Sequence, residues 1–285
     1  MKPLLAHVYE PHRVTYPVYV QPKLNGIRAL YQNGCFQSRD QLPFHRPVLE
    51  HLSNVLVGLF PPETILDGEL YVHGWPLQRI NGAVTPVRLQ PTEDTLKVEY
   101  HVFDVVDFKR PFFDRLWDVD TRLLGAGPLV QRVVTLKCDA QHADAQYAAW
   151  VAGGYEGMMY RLGDCPYTVP KQKWDGQRMG RLGTRSGFLS DKDNRAWHLL
   201  KRKDWQDDEF FCVGVAEGEG KYAGMLGAVV CNSASGATFH VGSGLTDSER
   251  GHYWTNPPIG KQIKVKYLCL SSDGIPLNPT ILAIL

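Results

Sequence analysis

Four short stretches of this 285-residue chain carry residue types that could do chemistry together. The first is Gln21-Pro-Lys-Leu-Asn-Gly-Ile-Arg28, which sets Lys23 at the start of a tight turn and Arg28 just after it. Such a lysine is either a surface cation on a hairpin or a nucleophile. Nucleophilic attack needs the neutral amine, and at an ordinary lysine pKa only about one in 2,500 is neutral at pH 7. Closing that gap is worth about 4.6 kcal/mol, and neighbouring cations or a metal ion are the standard means. The second and third stretches are Leu66-Asp-Gly-Glu-Leu-Tyr71, with Glu69 after a glycine, and Tyr155-Glu-Gly-Met-Met-Tyr160, with Glu156 at a strand start. Each glutamate alone also reads as a solvated turn residue. Held in one cleft, the pair suits Mg²⁺, which takes a few carboxylates together with substrate phosphates. The fourth stretch, Leu199-Leu-Lys-Arg-Lys-Asp204, puts Lys201 and Lys203 on one face of a strand with Arg202 on the other. That pattern is either a phosphate site or a solvated linker.

The elements that must position these residues can be read from apolar spacing. Val18 and Val20 alternate towards Pro22, which predicts a strand. Asn25-Gly26 and Asn33-Gly34 both carry the signature of a type I′ hairpin turn. Val48, Leu49, Leu52, Val55 and Leu56 have helical spacing, while Ile65 to Val72 and Val98 to Phe108 read as buried strands. Asp139 can cap a helix whose Ala143, Tyr147, Trp150 and Val151 share a face, ended by Gly153-Gly154. A strand from Glu156 to Leu162 follows. After Trp205 short strands are expected at Phe210 to Ala216, Leu226 to Cys231, Thr238 to Val241 and Ile263 to Leu270. Among them Thr246-Asp-Ser-Glu249 forms a capping box for one helix. Short strands with one helix in so small a space predict a barrel of the OB type. The boundary is expected near Lys203 to Gln206, giving domains 1–204 and 205–285.

Composition narrows the class. Hydrophobic residues make up 44% and charged residues 21%, which argues against extensive disorder. No apolar run approaches the roughly 18 residues of a membrane span, and the first eleven residues lack a secretory core. A cytoplasmic (intracellular) protein with no membrane partner is expected. Six cysteines without a CxxC pair and ten histidines without HExxH point away from zinc and from a disulfide framework. Net charge is +1, split into +4 over residues 1–204 and −3 over 205–285. From Pro166 to Arg195 periodicity is lost, and between Lys171 and Arg195 seven cations meet three Asp. That segment is either a solvated insert or a clamp on phosphates.

Taken in order, KLNGIR (Lys23–Arg28), Ser38-Arg39-Asp40, DGEL (Asp67–Leu70), HVFDVVDF (His101–Phe108), YEGMMYR (Tyr155–Arg161) and LLKRK (Leu199–Lys203) resemble the nucleotidyltransferase motifs of ATP-dependent DNA ligases, above all the small viral, phage and bacterial forms. The stretch Glu219 to Gly227, then Val241-Gly-Ser-Gly-Leu-Thr-Asp247, Gly260 and Lys266-Tyr267 resembles the OB domain of that family. The likeness spans about residues 15–285, apart from 166–195.

The resemblance implies an α+β nucleotidyltransferase domain of ATP-grasp-like antiparallel sheets with helices, followed by an all-β OB-fold barrel. It implies that Lys23 takes AMP from ATP and that Lys201 and Lys203 hold the α-phosphate and its developing charge. Arg28 and Arg39 would contact the nucleotide sugar or a nick phosphate. Glu69 would bind the ribose or a metal ion, Mg²⁺ or Mn²⁺, and Glu156 would position that ion. Phe103 would stack on adenine, with Met158 or Met159 on its other face. Gln21 would lie near the adenine edge, with Pro22 and Leu24 in the same nucleotide pocket. The implied partner is nicked double-stranded DNA, bound by a monomer through Arg39 and the basic stretch Lys171, Lys173, Arg178, Arg181 and Arg185.

Asn25 stands where the family usually has Asp, and the chain reaches Leu285 without the family's closing basic motif. The second domain has no room for the long hairpin that some viral forms close around DNA, so residues 171–195 are expected to take that role. An RNA ligase or capping-type nucleotidyltransferase shares the Lys-x-x-Gly core, and a non-catalytic nick-binding relic would retain the same residues. Covalent nucleotide on Lys23, and its identity, separates these alternatives.

Overall fold

A computed structural model describes residues 1–168, 195–203, 205–271 and 273–285. The chain divides into two compact units, Met1–Lys203 and Asp204–Leu285. In the first, the elements begin with β1 (Ala6–Val8), β2 (Val18–Lys23), β3 (Ile27–Gln32), β4 (Cys35–Ser38), α1 (Glu50–Leu56), β5 (Leu66–Tyr71) and α2 (Leu77–Val84). They continue with β6 (Glu99–Val105), α3 (Phe112–Arg122), β7 (Val130–Arg132), β8 (Leu136–Cys138), α4 (Ala140–Ala152), β9 (Gly157–Arg161) and β10 (Ala196–Arg202).

These strands form two five-stranded sheets, ordered β1-β10-β9-β2-β8 and β4-β3-β5-β6-β7. Pairing is antiparallel except at β1–β10 and β6–β7, which run parallel and modify the all-antiparallel expectation. Period-two alternation gives each sheet a buried face. In the first sheet Val18, Val20, Met158, Tyr160 and Leu200 pack with Tyr147 and Trp150 of α4. In the second, Tyr31, Leu66, Leu70, Tyr100 and Val102 pack with Leu52, Leu56, Ile80, Val84 and Val119 from α1, α2 and α3. The cap of α4 is as expected: Asp139 accepts from the His142 backbone N–H at 2.9 Å.

The two Asn-Gly turns differ. Asn33 and Gly34 have φ of 45° and 81° and join β3 to β4 as a hairpin. Asn25-Gly26 is no hairpin, because β2 pairs with β8 and β9 while β3 pairs with β4 and β5. The turn carries the chain from one sheet to the other. At Gly26 a Cβ would lie 2.4 Å from the Leu70 carbonyl oxygen and 2.8 Å from Cγ of Glu69, so only glycine permits this approach.

The second unit contains β11 (Gln206–Glu217), β12 (Leu226–Asn232), β13 (Thr238–Val241), α5 (Asp247–Thr255), β14 (Gln262–Tyr267) and β15 (Thr280–Ile284). Its sheet is ordered β13-β12-β11-β14-β15 around Phe210, Leu226, Val229, Val241, Ile263, Val265 and Ile281. The Thr246–Glu249 capping box opens α5. Beyond β13, Ser243 forms one parallel bridge to Thr280. Among the described residues this bridge joins the two edges, rather than the continuous ladder of a fully closed barrel. No helix among the described residues is long and apolar enough to cross a membrane.

Candidate active site

Strand register brings the chemistry-bearing stretches together. Lys23 lies opposite Gly157, and Met159 lies opposite both Gln21 and Lys201. Across the second sheet Arg28 pairs with Glu69, which pairs with His101. Residues of both sheets line one cavity of about 680 Å³ in the first unit, including Gln21, Lys23, Arg28, Glu69, Phe103 and Lys201. Pro22 and Leu24 also line it.

At the cavity edge, one carboxylate holds two lysines. Lys23 Nζ donates to Oε2 of Glu156, and Lys203 Nζ donates to Oε1 of the same group at 3.2 Å. All three side chains are largely buried. The close approach of β10 to β9 depends on Gly157, whose φ is +153°. A Cβ there would lie 2.2 Å from the Arg202 carbonyl oxygen and 3.0 Å from Cα of Lys203. Lys201 has its pKa lowered by burial, then by Arg195, Lys203 and Lys23. This is the gathering of cations that a phosphate site needs.

Glu69 is pushed up to about 7, because burial outweighs the opposing pull of Lys23 and Arg28. A carboxylate left this short of compensation gains from a cation beside it. Among the described residues no group of three or more His, Cys, Asp or Glu side chains forms a complete metal site. Glu69 and Glu156 lie near enough to repel one another, and they are the carboxylates of this site that could share an ion with substrate phosphates and water.

Arg28 is engaged within the protein. Its Nε donates to Oδ1 of Asp67 at 2.9 Å and its Nη1 to the Leu4 carbonyl at 2.6 Å. The Tyr167 hydroxyl donates to Oδ2 of Asp67 at 2.6 Å. The guanidinium carbons of Arg28 and Arg161 each lie 5.3 Å from the centre of the Phe103 ring. Arg39 sits on the rim with its side chain 64% exposed.

Met158 does not belong to this cavity. It is fully buried in the core beneath α4, while Met159 points the other way and lines the cavity. The cause is strand alternation in phase with Gln21 and Lys201. Lys171, Lys173, Arg178, Arg181 and Arg185 lie outside the described residues. Asp67, Asp104, Arg161 and Thr135 were not picked out from the sequence. For Arg161 a signal was available: it lies two positions beyond Met159 on the same face of β9.

Residues 217–284, which lie within the second unit, match the family model of the DNA ligase OB-like domain. Among solved structures, one from work on Lig E DNA ligases, described as binding DNA with a minimal scaffold, is similar with a TM-score of 0.79 and 21% identity. That match covers 100% of this chain and 99% of the other. Chlorella virus DNA ligase-adenylate gives a TM-score of 0.52 at 23% identity, covering 100% and 98%. The ATP-dependent DNA ligase of bacteriophage T7, in complex with ATP, gives 0.52 at 14% identity, also covering 100% and 98%. At these identities the shared property is the fold. No curated protein sequence matches the chain.

Proposed function

We propose that this chain is an ATP-dependent DNA ligase that seals 5′-phosphate/3′-hydroxyl nicks in duplex DNA. Residues 1–204 act as the adenylation domain and 205–285 as the OB-fold domain. The observation that carries this reading is Lys23 held by Glu156 at the edge of a cavity shared with Glu69, Phe103 and Lys201.

In the first step the Lys23 amine attacks the α-phosphate of ATP. An N–P bond forms as the P–O bond to pyrophosphate breaks, and Glu156 is the base within reach of the proton the amine releases. Lys201 and Lys203 stabilise the charge that builds on the phosphate oxygens. A Mg²⁺ or Mn²⁺ ion held by Glu69 and Glu156 would add neutralisation of the nucleotide phosphates. AMP then passes to the 5′-phosphate of the nick, freeing Lys23, and the adjacent 3′-hydroxyl displaces AMP as the new phosphodiester forms. Contacts to DNA would run mostly through phosphates, since a ligase must not prefer a base sequence. The enzyme is taken to be monomeric and intracellular.

The test is nicked duplex DNA with a labelled 5′-phosphate, Mg²⁺ and ATP, resolved on a denaturing gel beside Lys23→Ala. Full-length product from the wild type alone supports the reading. Accumulated adenylated DNA without product would place a block at the last step, with Asn25 the first residue to restore to Asp. Labelling only with GTP, or sealing only of RNA, would replace the DNA ligase reading with an RNA-directed one.

A further inference from the structure

Beside the Phe103 ring runs a hydrogen-bond chain whose direction is forced at both ends. Arg161 Nε donates to Oε1 of Gln21 at 2.6 Å. A guanidinium has donors only, so the oxygen of the Gln21 amide must face it. Gln21 Nε2 then donates to Thr135 Oγ1 at 2.9 Å and to the Phe103 carbonyl at 3.3 Å. Thr135 cannot reverse this, because its hydroxyl donates to the Val133 carbonyl at 3.0 Å. Both amide hydrogens are thereby used. What remains free on Gln21 is one acceptor lone pair on Oε1.

Arg161 is itself fixed. Its Nη1 donates to Oδ2 of Asp104 at 2.7 Å, and Arg115 Nε donates to Oδ1 of Asp104 at 2.8 Å. Asp104 is 0% exposed and Arg115 is 1% exposed, so no solvent reorients the chain. Gln21 is 1% exposed and lines the cavity with Phe103, Val133 and Arg161.

We propose that Arg161 is a positioning residue for base selection: by holding Gln21 as an acceptor, it makes the cavity take a 6-aminopurine nucleotide and refuse a 6-oxopurine one. This rests on the ligase reading only in requiring that the cavity binds a purine nucleotide. Adenine presents its exocyclic N6 hydrogens as donors, whereas guanine presents O6 as an acceptor. O6 against Oε1 sets two acceptors face to face, and neither amide hydrogen of Gln21 can turn to relieve them, both being committed to Thr135 and Phe103.

The experiment compares label transfer to Lys23 from α-labelled ATP and α-labelled GTP. Wild type is expected to favour ATP. Arg161→Gln, whose side chain can donate or accept, releases the amide to flip, and the ATP:GTP ratio is expected to fall by about tenfold or more. Adding Gln21→Glu to Arg161→Gln is expected to restore the ratio, because either carboxylate oxygen accepts. A purely structural role for Arg161 would lower labelling by both nucleotides and leave the ratio alone, and that result overturns the proposal. So does a double variant that fails to recover the ratio. Thermal denaturation checks that Arg161→Gln folds. If it does not, Gln21→Leu removes the acceptor directly, and an unchanged ratio there also overturns the proposal. Equal labelling of wild type by ATP and GTP defeats this proposal alone, whereas no labelling by either defeats the ligase reading with it.

Discussion

The Nζ of Lys23 donates to Oε2 of Glu156, so the nitrogen that would attack a phosphate is already paired with a carboxylate oxygen. A nucleophile must leave this pairing, so Glu156 has two duties: it fixes where the amine sits and it must let the proton go. Lys203 on Oε1 draws the same carboxylate the other way and keeps it from being spent on Lys23 alone. Glu156→Gln keeps the shape but turns an amide donor towards one lysine. Labelling of Lys23 from ATP is expected to drop by about 10² to 10³, the usual cost of removing one electrostatic group from a reacting site. Single-turnover label transfer reads this, and equal rates in the variant and the wild type would remove Glu156 from the reaction.

Glu69 ties activity to pH. Burial holds its pKa near 7, and it serves a ribose or a metal ion best as the carboxylate. Nucleotide binding in Mg²⁺ is expected to strengthen from pH 6 to 8 with a midpoint near 7, and the midpoint should vanish in Glu69→Gln. Stability runs the opposite way. The folded pKa lies above that of an unfolded-chain glutamate, so the stabilisation from keeping the group neutral is complete below about pH 4.5 and is lost as pH rises through 7. Between those limits the wild type should lose roughly 3 kcal/mol relative to Glu69→Gln. Denaturant titrations of both proteins across that range check it, and parallel curves would refute the assignment.

Gly157 is a structural requirement of the lysine pair. An added Cβ meets the Arg202 carbonyl oxygen at 2.2 Å, and at φ +153° a side chain is strained in any case. Gly157→Ala is expected to cost about 2–4 kcal/mol of stability, since the clash is with backbone. It should also push Lys203 away from Glu156, so labelling of Lys23 should fall even where the variant is fully folded. A variant with the wild-type melting temperature would show that β10 yields freely.

What could be read in advance was mostly local. The Asp139 cap, the Thr246–Glu249 box and the Asn33-Gly34 hairpin all depend on residues within a few positions of one another, and the structure has them as expected. Asn25-Gly26 carries the same turn signal as Asn33-Gly34 yet joins two sheets, because pairing partners are chosen by packing that no local pattern encodes. Residues from the four stretches do meet, but their neighbours were hidden. Asp67 could be seen only as part of a motif, although it grips Arg28 and Tyr167 from opposite ends of the unit. β1 was missed because three residues of ordinary composition become a strand only when β10 lies beside them. The choice between Met158 and Met159 turned on which face of β9 meets the cavity, a phase that only the partner strands set.

Arg28 offers a test that separates a ligand contact from a structural one. Its guanidinium spans the Asp67 carboxylate and the Leu4 carbonyl, and Asp67 also accepts from the buried Tyr167 hydroxyl. Burial opposes its charge, but Asp67 more than compensates and holds it firmly protonated. A lysine cannot reproduce this fork, because it has one nitrogen where arginine has three in a fixed plane. Arg28→Lys is therefore expected to lose about 2 kcal/mol of stability with no nucleotide present, since the buried Asp67 side chain loses part of its pairing. If Arg28 served only the nucleotide, the melting temperature of the free protein would be unchanged and the loss would appear in KM for ATP alone. The expected result is both: a lower melting temperature without ligand, and a weakened KM, because the guanidinium that faces Phe103 and the cavity is the one Asp67 and Leu4 hold in place. Thermal denaturation of the free protein, set beside the ATP dependence of labelling, distinguishes the two.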